Sequence, residues 1–471
     1  MFLPVVSNAN QYYLCLKLFG KLNPFKKLAG DTAIYGISSI LGRFLNWGLA
    51  PYYTFVFIAE EFAVFINLYA YVAFFLVLLT YGMETAYFRY ASKSKNPEEV
   101  YSTSLISLFF TSVLFVVLIL SFSPSIASLI GYPQYPQYIV WLAIILGIDA
   151  LTAIPFARLR LNNRPVKFAT IRIISIAFNI GFNLFFLSFA PKWLGNNSES
   201  FIRHIYSPGI GVGYVFISNL LASIITLLLL VPELFKISFR LNKHFLVTML
   251  RYAFPVLIVG LAGMVNQNID KILIPFLLSE DQNPMYQLGI YSANFKLAVL
   301  MNMFIQAFRY AFEPFFFSRS DSKNDPQIYA SVMNYFVIFG LLIFLGMVLY
   351  IDLIKIIIEP TYHEGLKVVP IVLMGNLFFG IYFALSLWYK LKDMTRYGAY
   401  IALTGAAFSL SLNFILIPVW GYMGSAVAVF ISYFVMMVFS YFLGRKFYPI
   451  PYNLRKIGLY FSIALLLYVT S

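Results

Sequence analysis

Long apolar stretches, each bounded by a short polar segment, follow one another from Asp31 to the C-terminus. Because the hydrocarbon core of a bilayer is about 30 Å thick, a helix needs about 20 mostly apolar residues to cross it. The pattern predicts thirteen such helices. Their bounds are 32–57, 62–86, 100–122, 137–157, 167–190, 209–231, 248–276, 288–312, 328–350, 366–388, 397–417, 421–443 and 457–471.

The composition agrees with this pattern. Hydrophobic residues make up 61% of the chain and charged residues 11%, and the mean hydropathy is +0.80. Soluble domains have about 45–50% apolar and about 25% charged residues. A chain so poor in polar residues cannot cover its surface against water, so lipid must be its solvent. The sequence therefore predicts an all-α integral membrane protein.

The basic residues are concentrated in every second connector. The N-terminal segment and the alternate connectors carry 25 of the 33 Lys and Arg residues, Arg309 among them, and the intervening connectors carry four. Cytoplasmic connectors of membrane proteins are enriched in Lys and Arg, so the N-terminus is predicted to be cytoplasmic. The net charge of +14 then reflects topology and attraction to anionic membrane lipids, and no nucleic-acid partner is expected.

The sequence lacks the usual signatures of an enzyme. It has one cysteine, Cys15, no HExxH, P-loop, GxSxG or dinucleotide-binding motif, and no connector longer than about 20 residues. A catalytic domain therefore has no place on either side of the membrane. We expect no enzyme activity, no cofactor and no metal site.

Polar landmarks recur at a fixed spacing in the two halves of the chain. Segment 160–165 precedes a helix that ends at Asn183, and segment 390–395 precedes one that ends at Asn413, 230 residues later in both cases. Such a repeat predicts two six-helix bundles, and because six is even they have the same orientation in the membrane.

The repeat divides the chain into five predicted parts. These are a basic cytoplasmic leader at 1–30, an N-terminal six-helix lobe at 31–231, a cytoplasmic linker at 232–247, a C-terminal six-helix lobe at 248–445, and an additional transmembrane helix at 446–471. The expectation for the last part is that a fourteenth helix is absent or that the sequence stops short of it.

Three segments resemble one family. Asp31–Arg43 resembles the first helix of polysaccharide-type flippases, which belong to the multidrug/oligosaccharidyl-lipid/polysaccharide exporter superfamily. Tyr81–Tyr90 is similar to the segment that closes their second helix. Asn413–Pro418 with Gly421–Ala426 resembles a signature of their C-terminal lobe. Members commonly have twelve or fourteen helices, and helices one, two, seven and eight line a central cationic cavity.

The resemblance implies a flippase of the bacterial inner membrane. Its substrate would be an undecaprenyl-pyrophosphate-linked oligosaccharide for surface polysaccharide, and its other partners would be membrane lipids and proteins of surface-glycan assembly. A cation-coupled multidrug exporter of the same superfamily is one alternative. A membrane enzyme such as an O-antigen polymerase or ligase is another, although it would need a large outer loop.

Charged residues inside predicted helices are the candidate site residues, because a charge at bilayer depth costs roughly 2.5–3.5 kcal/mol. Arg43, Lys296 and Lys271 lie on helices that line the family cavity, so we expect them to bind the pyrophosphate. The alternative for Lys271 is a structural role in a local or inter-helix pair with an acid. The expected polar lining of the cavity is Asn46, Asn266, Gln267 and Asn268.

The acids have other expected roles. Asp149 and Arg172 lie at similar depth, about 5 Å apart along the membrane normal at 1.5 Å per residue, and are predicted to form a structural salt bridge. Asp270 is the candidate for coupling to a proton or cation. Glu84, near the inner end of the second helix, has either an interfacial or a coupling role.

Overall fold

The structure is a computed structural model that describes residues 41–196, 201–235, 241–317, 326–386, 388–389, 392 and 394–470. The predicted leader at 1–30, residues 32–40 of the first predicted helix and part of the predicted linker at 232–247 lie outside the described residues.

In the described ranges thirteen long helices follow one another, and we number them α1 to α13. They are α1 (41–56), α2 (Ala59–Thr80 and Met83–Ala91), α3 (Pro97–Ser121), α4 (Pro136–Leu161), α5 (Pro165–Leu184, continued by Phe185–Phe189 and Ala190–Asn196), α6 (Gly213–Leu234), α7 (Lys243–Leu277), α8 (Pro284–Phe317), α9 (Pro326–Leu349), α10 (Val368–Leu385, preceded by the 3-10 turns of Pro360–Lys367), α11 (Thr395–Trp420), α12 (Tyr422–Phe447) and α13 (Leu454–Thr470).

The prediction of an all-α membrane protein is confirmed. Within the described ranges all regular secondary structure is helical, and eleven helices are long and apolar enough to cross a membrane. The described part of α1 and the 17-residue α13 complete the predicted thirteen. The main difference in bounds is at α7 and α8, which extend further at their polar ends than the hydrophobic pattern predicts.

The helices pack as two groups. In the N-terminal bundle (α1–α6), α4 lies against α2, α3 and α6, and α6 also packs on α5. In the C-terminal bundle (α7–α12), α12 packs on α10 and α11, while α7 contacts α11 and α8 contacts α10. The long helix α2 joins the groups because it contacts both α7 and α8, and α13 packs on α9.

The two asparagines of the 230-residue spacing have matching surroundings. The side-chain amides of Asn183 and Asn413 are fully buried, and each donates to the carbonyl four residues earlier, that of Asn179 at 2.8 Å and that of Ser409 at 2.7 Å. The amide oxygens accept hydrogen bonds from the hydroxyls of Tyr53 and Ser425 respectively. A polar residue in the middle of a membrane helix thus satisfies its donors within its own bundle.

The end of the molecule that carries residues 57–58, 278–283 and 350–367 is the outer end in the predicted orientation. There the bundles are joined by hydrogen bonds to the backbone. The Tyr362 hydroxyl donates to the carbonyl of Phe57 at 2.7 Å, and the backbone N–H of Glu359 donates to the Thr54 hydroxyl at 3.2 Å. Deeper in the membrane, the Asn67 amide donates to the carbonyl of Lys271 at 2.8 Å. The outer end is therefore closed.

The opposite end, which is the inner end in the predicted orientation, is bridged by the short second piece of α2. The helix is interrupted at Tyr81 and Gly82, where φ is +35° and +72°. A Cβ on Gly82 would lie 2.9 Å from the Ala253 carbonyl oxygen of α7, so glycine permits both the positive φ and the close approach. Beyond the break, the Arg89 guanidinium lies 4.3 Å from the centre of the Tyr252 ring.

One glycine at the outer end tests the closed arrangement. A Cβ on Gly289 of α8 would overlap the carbonyl of Ala59 at the start of α2. Overpacking costs about 1–3 kcal/mol, so we expect Gly289→Ala to shift the closed-to-open ratio of the outer end by about 5- to 150-fold. The measurement is the distance between spin labels at Leu129→Cys and Tyr350→Cys, in a Cys15→Ser background.

The matched control is Gly346→Ala on α9, because no atom lies within 4 Å of a Cβ built there. It should leave the label distance unchanged. An unchanged distance in Gly289→Ala as well would show that the α2–α8 contact does not hold the outer end closed.

Candidate functional site

A cavity of about 300 Å³, which we call the interbundle cavity, lies between the two groups of helices. The N-terminal bundle contributes Arg43 of α1, and α7, α8, α10 and α12 form the rest of the wall. The lining consists of Arg43, Gln267, Asn268, Lys271, Phe295, Lys296, Val299, Asn302, Ile305, Gln306, Arg309, Phe379, Phe383 and Tyr433.

Four cations line this small space. Arg43 comes from α1, Lys271 from α7, and Lys296 and Arg309 from α8. None of the described lining residues is acidic. In a low-dielectric site like charges repel strongly, so the arrangement is costly when empty and favours an anionic ligand. The three bases expected from the sequence are therefore brought together in one cavity.

Lys271 has a partner within the protein. Its Nζ lies 2.9 and 3.0 Å from the two carboxylate oxygens of Asp270 and 3.0 Å from the carbonyl oxygen of Gln267. The Tyr291 hydroxyl also donates to Asp270, at 2.5 Å. The local acid pair expected as the alternative for Lys271 thus forms, and Asp270 is 1% exposed and lies behind the cavity wall. Lys271 still faces the cavity, 4.3 Å from the Phe295 ring centre.

Arg43 and Lys296 differ from Lys271 in this respect. Within the described part of the chain neither forms an ion pair. The backbone carbonyl of Lys296 accepts a hydrogen bond from the Trp47 indole N–H at 2.7 Å, which fixes α8 against α1. The contact is four residues, about one turn, along α1 from Arg43. The two cations are thus positioned by helix packing, and their charges remain available to a ligand.

Arg309 was not predicted as a site residue. The charge pattern counts it among the cytoplasmic connector bases because it lies near the end of the predicted helix 288–312, but the structure places it on α8 in the cavity wall. Its guanidinium lies 4.2 Å from the centre of the Phe383 ring. The signal was a polar stripe along α8, because Asn302, Gln306 and Arg309 follow one another at spacings of four and three residues.

An aromatic surface faces the cations. The Phe379 and Tyr433 rings are stacked with centroids 4.5 Å apart, and Phe379 meets Phe383 edge to face at 4.6 Å. Tyr433 is anchored by its hydroxyl, which donates to the carbonyl of Asn266 at 3.2 Å. Flat, fixed rings of this kind offer apolar contact to a sugar ring or to the first isoprenyl unit.

Two of the predicted lining amides, Gln267 and Asn268, reach the interbundle cavity, and two lie elsewhere. Asn266 is 3% exposed and donates to the carbonyls of Ala262 and Ala402, so it joins α7 to α11. Asn46 lines a different cavity, inside the N-terminal bundle. Residues 43 and 46 are three positions apart, and on α1 this spacing is enough to separate the two cavities.

The predicted salt bridge between Asp149 and Arg172 is not formed. No described base lies within 4.0 Å of the Asp149 oxygens, and one of these oxygens accepts a hydrogen bond from the Ser223 hydroxyl at 2.9 Å. Arg172 instead stacks on Phe156, 4.0 Å from the ring centre. The helices place the two side chains on one cavity without bringing them into contact, which depth along the membrane normal could not reveal.

Glu84 forms a pair that was not predicted. It accepts a hydrogen bond from the guanidinium of Arg160 at the inner end of α4, and the two side chains are 40% and 36% exposed. This agrees with the interfacial alternative for Glu84, although the side chain also lines the cavity inside the N-terminal bundle.

Solved structures share the whole fold. A lipid II flippase MurJ in an inward closed conformation has a TM-score of 0.73 at 16% identity, with 93% of this chain and 92% of that chain covered. An inward-facing multidrug resistance MATE transporter of the MOP superfamily has a TM-score of 0.67 at 12% identity, covering 89% and 96%. An outward-facing MATE transporter has 0.59 at 13%, covering 93% and 97%. The chain therefore has the fold of a MOP-type membrane transporter.

The match to a sequence family defines a narrower class of proteins than the shared fold does. The polysaccharide biosynthesis protein family matches residues 28–320, which is more than half of the chain. The chain belongs to this family. A comparison with curated protein sequences finds no match.

Proposed function

We propose that the protein is a flippase that moves an undecaprenyl-pyrophosphate-linked oligosaccharide from the inner to the outer leaflet of the bacterial inner membrane. The observation that carries this proposal is the interbundle cavity, in which four cations from both bundles converge and no described lining residue is acidic. The pyrophosphate of such a lipid carries at least two negative charges.

The side chains fit a pyrophosphate in distinct ways. A guanidinium binds two phosphate oxygens at once through parallel N–H donors, which suits Arg43 and Arg309. An ammonium acts as a compact point charge, which suits Lys296. Asp270 neutralises Lys271, whereas Arg43 and Lys296 form no ion pair within the described part of the chain, so the cavity keeps an excess of positive charge that offsets the desolvation of the ligand.

Transport then requires no covalent chemistry. The pyrophosphate and sugars enter the cavity, the polyprenyl tail stays in the lipid, and rocking of the bundles transfers the head group across the membrane. The closed outer end corresponds to the state before release. Family membership in polysaccharide biosynthesis and the likeness to a lipid II flippase support this interpretation.

The same proposal covers orientation and surroundings. We place the N-terminus in the cytoplasm, the two lobes at 31–231 and 248–445, and the protein beside other components of surface-glycan assembly. The unequal distribution of Lys and Arg among the connectors supports this orientation.

The cavity argues against the two alternatives. A site that binds cationic drugs needs carboxylates facing the ligand, and the described lining offers only cations and neutral groups. A polymerase or ligase needs catalytic groups at the outer surface. The described outer connectors are short turns and 3-10 helices such as Glu280–Gln282.

The test compares three ligands by thermal stabilisation of the purified protein. Undecaprenyl pyrophosphate should bind about ten- to 100-fold more tightly than undecaprenyl phosphate, because each added charge-assisted hydrogen bond is worth about 1.5–3 kcal/mol. A cationic dye should give no stabilisation. Preference for the dye, or equal affinity for both lipids, would overturn the proposal, and proteoliposomes that fail to translocate a fluorescent lipid-linked oligosaccharide would do the same.

A further inference from the structure

A second polar cavity of about 450 Å³, which we call the N-terminal cavity, lies inside the N-terminal bundle. Its walls come from α1, α2, α4, α5 and α6, and it contains acids as well as bases. It is therefore chemically distinct from the interbundle cavity, and nothing in the proposed flipping step uses it.

Asp149 is the unusual group in this cavity. It lies within α4, on a membrane-spanning segment, and its carboxylate accepts a hydrogen bond from the neutral hydroxyl of Ser223 at 2.9 Å. Among the described residues no base lies within 4.0 Å of it. The carboxylates of Glu84, Asp270 and Glu233, which also lie on membrane-spanning helices, are each paired with a cation.

The groups that surround Asp149 come from every neighbouring helix. Arg172 on α5 lines the same cavity but stacks on Phe156. The Tyr69 hydroxyl of α2 accepts a hydrogen bond from Asn219 of α6. The ionisable groups that line the cavity are Glu84, Asp149, Arg160 and Arg172, and Tyr69 lies close enough to interact electrostatically with Asp149. Because Glu84 and Arg160 neutralise each other, the net charge of the cavity lining depends on whether Asp149 is ionised.

This arrangement suits a proton better than a metal ion. Within the described residues no group of three or more Asp, Glu, His or Cys side chains converges on one point. A proton needs one carboxylate, and when Asp149 binds it the carboxyl group becomes a donor to which the Ser223 hydroxyl, able to donate or accept, can adapt.

The N-terminal cavity is lined in part by α1 and α2, which contact the C-terminal bundle. Asn46 of α1 lines the N-terminal cavity, whereas Arg43 of the same helix lines the interbundle cavity. Thr80 and Glu84, which flank the break in α2, also line it. A change of charge at Asp149 therefore alters the electrostatic forces on α1 and α2, two helices of the N-terminal bundle that contact the C-terminal bundle.

We infer that the N-terminal cavity is a proton-binding site, with Asp149 as the group that takes up the proton from water. Protonation removes the negative charge that faces Arg172 and so changes the forces on α1, α2 and α5. A role of this proton in driving transport rests on the proposed function. The binding of the proton at Asp149 does not depend on that function.

The experiment measures the proton directly by infrared spectroscopy of the full-length protein in an ester-free detergent. A protonated carboxyl group has a carbonyl band that a carboxylate lacks. Above about pH 5.5, where exposed carboxyl groups are already ionised, we expect wild type to show a band that disappears as the pH rises further, Asp149→Asn to lose it, and Glu84→Gln to retain it. Asp149→Asn is isosteric, and its thermal unfolding is recorded beside that of wild type to show that it is folded.

Two results would overturn the inference, namely a band that titrates above about pH 5.5 and persists in folded Asp149→Asn, or the absence of such a band in wild type. The coupling role is measured separately in proteoliposomes, where an imposed pH gradient should accelerate flipping by wild type but not by Asp149→Asn. Failure of the wild-type protein to bind undecaprenyl pyrophosphate would refute the proposed function. It would not affect the conclusion drawn from the infrared spectra. Equal acceleration in Asp149→Asn would refute the coupling role.

Discussion

Arg43→Ala and Lys296→Ala should each weaken binding of undecaprenyl pyrophosphate about ten- to 100-fold, and together they should abolish export of surface glycan. Each change removes a charge-assisted contact worth about 1.5–3 kcal/mol from a cavity that water screens poorly. Binding is measured by thermal stabilisation of the purified protein, and export by complementation of a deletion strain. Protein levels should not change, because neither side chain forms an ion pair within the described chain.

The matched control pairs one Arg and one Lys outside the cavity. Arg445 and Lys446 are exposed at the inner end of α12, and Arg445→Ala with Lys446→Ala should leave binding and export near the wild-type level. Wild-type export by Arg43→Ala and Lys296→Ala would remove the interbundle cavity as the pyrophosphate site. A loss of the same size in the control would mean that overall charge, rather than the cavity, is responsible.

Asp270→Ala should destabilise the protein more than Glu84→Ala does. It leaves the Lys271 ammonium without its carboxylate partner, and removing one member of a buried ion pair costs about 3–5 kcal/mol. The double substitution Asp270→Ala with Lys271→Met should recover most of the stability, because it removes the unpaired charge. The measurement is the thermal midpoint of the purified protein together with its amount in the membrane.

Glu84→Ala is the comparison for that prediction, because it also breaks a pair between an acid and a base. The Glu84 and Arg160 side chains are more than a third exposed, and exposed pairs are worth about 0–1 kcal/mol. If Asp270→Ala were no worse than Glu84→Ala, the pair on α7 would not be part of the structural core. If the double substitution were as unstable as Asp270→Ala, the unpaired lysine would not be the cause.

The fold was predictable because lipid imposes a simple rule on the sequence. Every backbone polar group in the hydrocarbon core must be satisfied within the chain, so each apolar run of sufficient length becomes a helix. The ends of α7 and α8 were harder to predict, because both helices continue into polar segments where hydrophobicity no longer marks them. The break at Gly82 was also not predicted, since it depends on the approach of Ala253 from another helix.

The site was predictable where a charge inside an apolar helix is itself the signal. Arg43, Lys271 and Lys296 were found this way, and all three line one cavity. Arg309 was missed because it stands near a helix end, where a base is also expected for topology. Asn46 and Asn266 were predicted to line this cavity but do not. A polar residue on the expected helix can instead face a neighbouring helix or another cavity.

Lys271 and Lys296 each act at two places at once. Their ammonium groups face the cavity, and their main-chain carbonyls accept hydrogen bonds from Asn67 and Trp47 across the seam between the bundles. A ligand that binds these two ammonium groups therefore contacts the same residues whose backbone carbonyls join the C-terminal bundle to the N-terminal bundle. Under the proposed function, we therefore expect ligand binding and separation of the bundles to be coupled directly through these two residues.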